Sequence, residues 1–217
     1  MSEDVELRIV DDPALEVAEL LVGATGNVAL AGGSTPRRAY ALARRRQDWS
    51  GVAFWWSDER CVPPGDERSN YGMAHAALLD HVVVEEHRIR GELGGQEAAR
   101  LYEEELRGVT IDLCLLGIGP DGHTASLFPG APTLDESERL VVAAEPGLEP
   151  FVERVTFTLP AIGASREVVF LAAGEDKAEA ARRAFAEPPS RETPASLARG
   201  LTTVAFLDRA AASRLPG

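Results

Sequence analysis

Asp121 and His123 stand two residues apart inside the stretch Gly117-Ile118-Gly119-Pro120-Asp121-Gly122-His123-Thr124-Ala125-Ser126-Leu127-Phe128-Pro129-Gly130. An imidazole has an ordinary pKa of about 6.5, which suits it to take a proton near neutrality. A carboxylate beside it can orient the ring or stabilise its charge. Flanking glycines let the backbone turn tightly and come close to a ligand. His123 is therefore the candidate base, with Asp121 as its companion. The plain alternative is a turn histidine that only satisfies backbone groups. The adjacent aspartate and glycines set His123 apart from His75, His81 and His87, which fall on helical or loop stretches. No His or Cys partner stands near His123 at metal-ligand spacing, so no metal is expected. No G-x-S-x-G elbow is present, which argues against a serine hydrolase.

Three further polar clusters could serve such a base. Gly32-Gly33-Ser34-Thr35-Pro36 joins a strand to a helix, so exposed N–H groups and the helix dipole would suit a phosphate there. Ser34 or Thr35 could cap that helix. Ser57-Asp58-Glu59-Arg60 puts a guanidinium at a strand end, where it could grip a phosphate as a fork of donors. Lys177 is the single lysine among 22 basic residues, a position where arginine does not serve. Each cluster alone could be an ordinary turn or a solvated charge run. Gly117 to Gly122 formally matches the dinucleotide fingerprint G-x-G-x-x-G, but Pro120 removes a donor, Asp121 brings negative charge, and Pro129-Gly130 interrupts any following helix.

The elements that must position these residues alternate between strand and helix. Strands are predicted at Val5 to Val10, Asn27 to Ala31, Val52 to Trp56, Ile111 to Leu116, Leu140 to Ala144, Arg154 to Leu159, Val168 to Ala173 and Thr202 to Leu207. Helices are predicted from Pro13 to Gly23, after Pro36 to about Arg46, after the Ser69-Asn70 cap, from Gln96 to Leu106 and from Lys177 to Phe185. The pattern predicts an α/β fold with a mainly parallel sheet flanked by helices, as a single domain over residues 1–217. Ligands in such folds bind beyond the carboxyl ends of the strands. Four strands end there in polar or glycine-bearing turns: Gly32 to Pro36, Ser57 to Arg60, Gly117 to His123 and Gly174 to Lys177.

Composition narrows the function classes. The 217 residues carry a net charge of −13, so nucleic acid and anionic lipid are poor partners. A small anionic substrate would need a site with its own local positive field. Two cysteines, Cys61 and Cys114, make no disulfide framework, and reduced, cytoplasmic conditions are the simplest reading. No apolar run of about 18 residues exists and Met1-Ser2-Glu3-Asp4 is acidic, so neither a membrane span nor a signal peptide is expected.

Taken together, Ala31-Gly32-Gly33-Ser34-Thr35-Pro36, Trp56-Ser57-Asp58-Glu59-Arg60, Ser69-Asn70, Gly117 to Pro129 and Pro194-Ala195-Ser196-Leu197 resemble the 6-phosphogluconolactonase family. The resemblance runs from about Ile9 to Leu207. It implies a Rossmann-like fold shared with glucosamine-6-phosphate deaminase and related sugar-phosphate isomerases. The implied reaction is hydrolysis of 6-phosphoglucono-δ-lactone to 6-phosphogluconate in the oxidative pentose phosphate pathway, with no cofactor and no catalytic metal. The implied base is His123 with Asp121 beside it, and the implied phosphate site is Gly33, Ser34, Thr35, Arg60 and Lys177. Backbone N–H groups of the glycine loop are the candidate oxyanion donors. Two other readings remain: a deaminase-like isomerase or a non-catalytic sugar-phosphate sensor. The deaminases continue from Asp-Gly-His to a Glu-Pro, whereas this chain has Phe128 before Pro129. A sensor would need neither His123 nor Asp121.

Overall fold

The computed structural model describes residues 5–44 and 48–216. Buried aliphatic and aromatic runs with helices between them assemble into a seven-stranded parallel sheet. Its order is β1 (Glu6–Ile9), β10 (Thr202–Leu207), β9 (Glu167–Ala172), β6 (Leu113–Leu116), β2 (Gly26–Leu30), β3 (Val52–Trp56) and β5 (Glu85–Glu86). The chain runs outward from β2 through β3 to β5. It then returns to the other side of β2 to lay down β6. The crevice between β2 and β6 is thus the point where the strand order reverses, the usual ligand position in this architecture. All ladders of the sheet are parallel, so the turns after β9, β6, β2 and β3, four neighbours in the sheet, emerge at one edge.

The helices are α1 (Pro13–Gly23), α2 (Ser34–Ala43), α3 (Asn70–Ala77), α4 (Gly95–Leu106), α5 (Leu159–Gly163) and α6 (Ala178–Phe185). Asp12 caps α1 ahead of Pro13, and the helix covers the predicted span Pro13–Gly23. The expected end of α2 near Arg46 falls on residues 45–47, outside the described residues. Neither Ser34 nor Thr35 caps α2. Gly33, at φ 114°, occupies the cap position, and no side chain bonds the first N–H groups. Its positive φ is a conformation glycine adopts without strain.

A second feature departs from the sequence reading. Asp58–Arg60 is not a turn but a short strand, β4. It pairs antiparallel with β8 (Arg154–Phe157), which pairs antiparallel with β7 (Val141–Ala144). Three charged residues carry no apolar alternation, so nothing in their pattern announces a strand. They are tolerated in a ladder because their side chains find buried partners. The predicted strand over Arg154 to Leu159 also ends early, since Thr158 caps α5 through its Oγ1, 3.3 Å from the Ala161 N–H.

Two buried tyrosines fix the strand ends from which the site loops leave. Tyr40 on α2 accepts from the Ala31 N–H at 2.9 Å and donates to the Ala31 carbonyl at 2.8 Å. Tyr102 on α4 does the same at Trp56, at 2.7 and 3.1 Å. Each hydroxyl replaces the ladder bonds lost where a strand stops, worth roughly 1 kcal/mol per bond with the larger penalty of an unpaired buried amide avoided.

Candidate active site

The turn after β6 folds back on itself. The Gly119 N–H bonds the His123 carbonyl at 2.9 Å and the Gly122 N–H bonds the Gly119 carbonyl at 3.0 Å. This brings the His123 ring over Gly119, where an added Cβ would overlap Nδ1 and Cε1 of the imidazole. Only glycine admits that approach. Asp121 Oδ1 then sits 2.6 Å from His123 Nδ1 and accepts the His123 amide at 3.1 Å. Burial alone would raise the Asp121 carboxyl. The hydrogen bond and charge of His123 overcome this and hold it below the usual carboxylate range. An ionised aspartate at this distance keeps the proton on Nδ1 and leaves the lone pair on Nε2.

His123 lines a cavity of about 210 Å³ at the β2–β6 crevice. Gly32 and Gly33 form one wall and Gly117 to Pro120 another, with Arg60, Arg154 and Lys177 completing it. The structure thus gathers His123, Gly33, Arg60 and Lys177 in one place, with Asp121 behind the imidazole. Ser34 and Thr35 do not line this cavity. They form the first turn of α2 beside it, and that open helix end aims its partial positive charge at the same edge. Lys177 closes a single 3-10 turn after β9, with its Nζ 3.1 Å from Asp176. Asp208 anchors the start of that turn by accepting the Gly174 N–H at 3.0 Å.

Arg60 is placed by Asn70. Its Nη1 donates to Asn70 Oδ1 at 2.7 Å and to the Arg68 carbonyl at 2.8 Å. Asn70 in turn donates to the Asp58 carbonyl at 2.9 Å and to Asp58 Oδ1 at 3.0 Å. Asp58 also accepts from Ser126 Oγ at 2.7 Å, which ties β4 to the histidine loop. Glu59 points away from the cavity. It accepts from the N–H groups of Arg60, Asn70 and Tyr71 at 2.7 Å each and from Ser69 Oγ at 2.9 Å. Burial pushes its carboxyl up against the effect of those four donors. Glu59 is a prop for the α3 N-terminus, whereas Asp58 lines the cavity and organises it.

Sequence reasoning missed Arg154. It is the first residue of β8, and a lone arginine at a strand start looks like a surface charge. Here it is 3% exposed. Its Nη2 donates to the Leu148 and Pro150 carbonyls at 3.1 and 3.2 Å, while its Nε, like that of Arg60, is buried with no partner. Burial, then the nearby Arg60 charge, lowers its pKa from the ordinary value despite the opposing pull of Asp58. Two guanidiniums on one cavity, each with an unpartnered buried donor, suit an anionic group. The only signal in the sequence was the residue type itself.

Four positions of the glycine loop offer no free oxyanion donor. Those of Gly119 and Gly122 are used inside the turn, that of His123 goes to Asp121, and Pro120 has none. The cysteines offer no nucleophile. Burial pushes the Cys114 thiol up to about 12, and burial with the Glu153 charge does the same to Cys61. Among the described residues, no three His, Cys, Asp or Glu side chains come together to hold a metal ion. No helix among them is long and apolar enough to cross a membrane.

Residues 9–205 match the family model of glucosamine-6-phosphate isomerases/6-phosphogluconolactonase. The chain belongs to this family. A 6-phosphogluconolactonase of Streptomyces coelicolor is 40% identical over 96% of this chain and 87% of its own length. That of Mycobacterium tuberculosis is 40% identical over 82% and 79%. Among solved structures, the 6-phosphogluconolactonase from Trypanosoma cruzi superposes with a TM-score of 0.87 at 26% identity, covering 100% of this chain and 99% of that one. A glucosamine-6-phosphate deaminase superposes at 0.83 with 22% identity, covering 97% and 99%, which shows that this branch of the family shares the fold. As the sequence predicts, the fold is α/β with a mainly parallel sheet flanked by helices.

Proposed function

We propose that this protein is a 6-phosphogluconolactonase, hydrolysing 6-phosphoglucono-δ-lactone to 6-phosphogluconate in the pentose phosphate pathway, with His123 as the base. The observation that carries the reading is one cavity holding an Asp-oriented imidazole together with buried, unpartnered guanidinium nitrogens. The relatives named above support the reaction. Arg60, Arg154 and Lys177 would take the phosphate, helped by Gly33 and the Ser34 and Thr35 amides at the start of α2. They supply the local positive field that an acidic chain must build for an anion.

The chemistry follows from these placements. A water beside His123 Nε2 gives up a proton to it while its oxygen attacks C1 of the lactone. The tetrahedral intermediate collapses with cleavage of the bond between C1 and the ring oxygen. The imidazolium returns the proton to that oxygen, and the new carboxylic acid ionises. Asp121 stabilises the imidazolium in between. Holding the phosphate far from C1 makes positioning a large part of the rate.

His123 has an apolar ring beside it, Phe128 at 4.9 Å between centroids, where a ring-opening isomerase would need a carboxylate. That favours hydrolysis over isomerisation. We further infer one domain spanning residues 1–217, with no nucleic-acid partner given the net charge of −13, acting in the cytoplasm given two unpaired thiols.

A coupled assay on freshly made 6-phosphogluconolactone, set against unphosphorylated gluconolactone, tests the reading. The phosphorylated lactone is expected to be strongly preferred, and Arg60→Ala and Lys177→Ala to raise KM more than they lower kcat. Equal turnover of both lactones would remove the phosphate site.

A further inference from the structure

Phe128 is 4% exposed and is the only aromatic ring against His123 among the described residues, at 4.9 Å between centroids and tilted by 45°. The Arg154 guanidinium lies 5.4 Å from the centre of the same ring. Gly147, on the loop before β8, packs against it so closely that an added Cβ would come within 2.5 Å of Phe128 Cγ and Cδ1. That loop is itself held by Arg154, through the carbonyls of Leu148 and Pro150. One ring therefore touches the base, the buried arginine and the strap between β7 and β8.

Resting on the lactonase reading above, we infer that Phe128 is a positioning residue that fixes the His123 imidazole and sets its place relative to Arg154. The imidazole is already held on two sides. Asp121 fixes the Nδ1 edge, and Gly119 supports the ring. Neither constraint stops the ring from rocking about the Nδ1–Oδ1 contact. Phe128 supplies the third, and it does so without a polar group that could compete for Nε2. Aromatic pairs at this spacing favour one mutual arrangement over others. Misplacing a base by about 1 Å can cost about 10²-fold in rate. Phe128 also shares a ring–cation contact with Arg154, so the distance from the base to the anion grip passes through it.

The test is Phe128→Leu, assayed alone and in a His123→Asn background, with NMR of the His123 ring protons. The expected result is a kcat lowered by about tenfold or more with KM within about twofold. The His123 ring-proton signals shift as the neighbouring ring current is lost. In the His123→Asn background the second substitution costs no further kcat, because its effect runs through the histidine. A wild-type kcat in Phe128→Leu, or an equal loss in both backgrounds, would overturn the inference. If Phe128→Leu does not fold, Phe128→Met carries the same expectation. An inactive wild-type chain would instead remove the lactonase reading, while the ring-proton shift would still report the contact.

Discussion

At the scale of single residues, the site depends on which nitrogen of His123 keeps its proton. Asp121 decides this through a 2.6 Å contact with Nδ1, and its carboxyl stays ionised because the histidine holds its pKa down against burial. Asp121→Asn preserves the shape but offers an amide that can donate to Nδ1 and so favour the wrong tautomer. We expect kcat to fall by roughly 10²–10⁴-fold with little change in KM, read in the lactone assay. An unchanged kcat would mean that Asp121 only shapes the turn. The pair was legible in the sequence because both partners lie in one turn, two residues apart. Arg154 was not, because its meaning comes from burial and from Arg60 directly opposite it in the β4–β8 ladder, and neither is local in sequence. Glu59 was ambiguous for the same reason. Only the position of α3 shows that its four hydrogen bonds are structural.

At the scale of elements, the proposed phosphate grip is only as firm as the start of α3. Ser69 caps this helix by accepting the Gly72 N–H at 3.0 Å and donates to buried Glu59 at 2.9 Å. Asn70 follows immediately and holds Arg60. Ser69→Ala removes the cap and one donor from a buried carboxyl. The expected loss is about 1–2 kcal/mol in urea unfolding, with KM raised more than kcat is lowered. That loss of stability with KM untouched would show that Arg60 does not depend on the cap. The inner parallel strands were readable as apolar runs, and β3 and β10 lie where the sequence predicts, whereas the edge strand β5, two exposed glutamates, was not predicted. The antiparallel β4–β8–β7 sheet was not readable as such. Strand pairing depends on partners distant in sequence, and β4 is made of three charged residues.

At the scale of the whole molecule, acidity shapes both substrate capture and stability. Asp66, Glu136 and Glu179 are each held down to about 2, from ordinary values of 3.8, 4.5 and 4.5. For Asp66 and Glu179 the first cause is a hydrogen bond from arginine. For Glu136 it is a backbone N–H. A folded pKa below the unfolded one contributes stability that is present above the unfolded value and lost as pH falls through the folded one. Glu59 works in the opposite sense, because burial raises its folded pKa. Calorimetry from about pH 6 down to about pH 2.5 should show Tm falling most steeply below about pH 4.5. Each carboxylate pairs with an arginine at the surface, so about 0.5 M salt should make the fall shallower. A flat profile would contradict the assignment. The same surface charge of −13 repels an anionic substrate everywhere except at the one sheet edge where Arg60, Arg154 and Lys177 converge.

In the proposed mechanism His123 takes the proton from the attacking water. The most direct measurement is kcat for His123→Asn on freshly made 6-phosphogluconolactone, with spontaneous hydrolysis subtracted and folding checked by circular dichroism. We predict a fall of roughly 10²–10⁴-fold in a protein that keeps its fold. A folded variant with wild-type kcat would contradict the assignment.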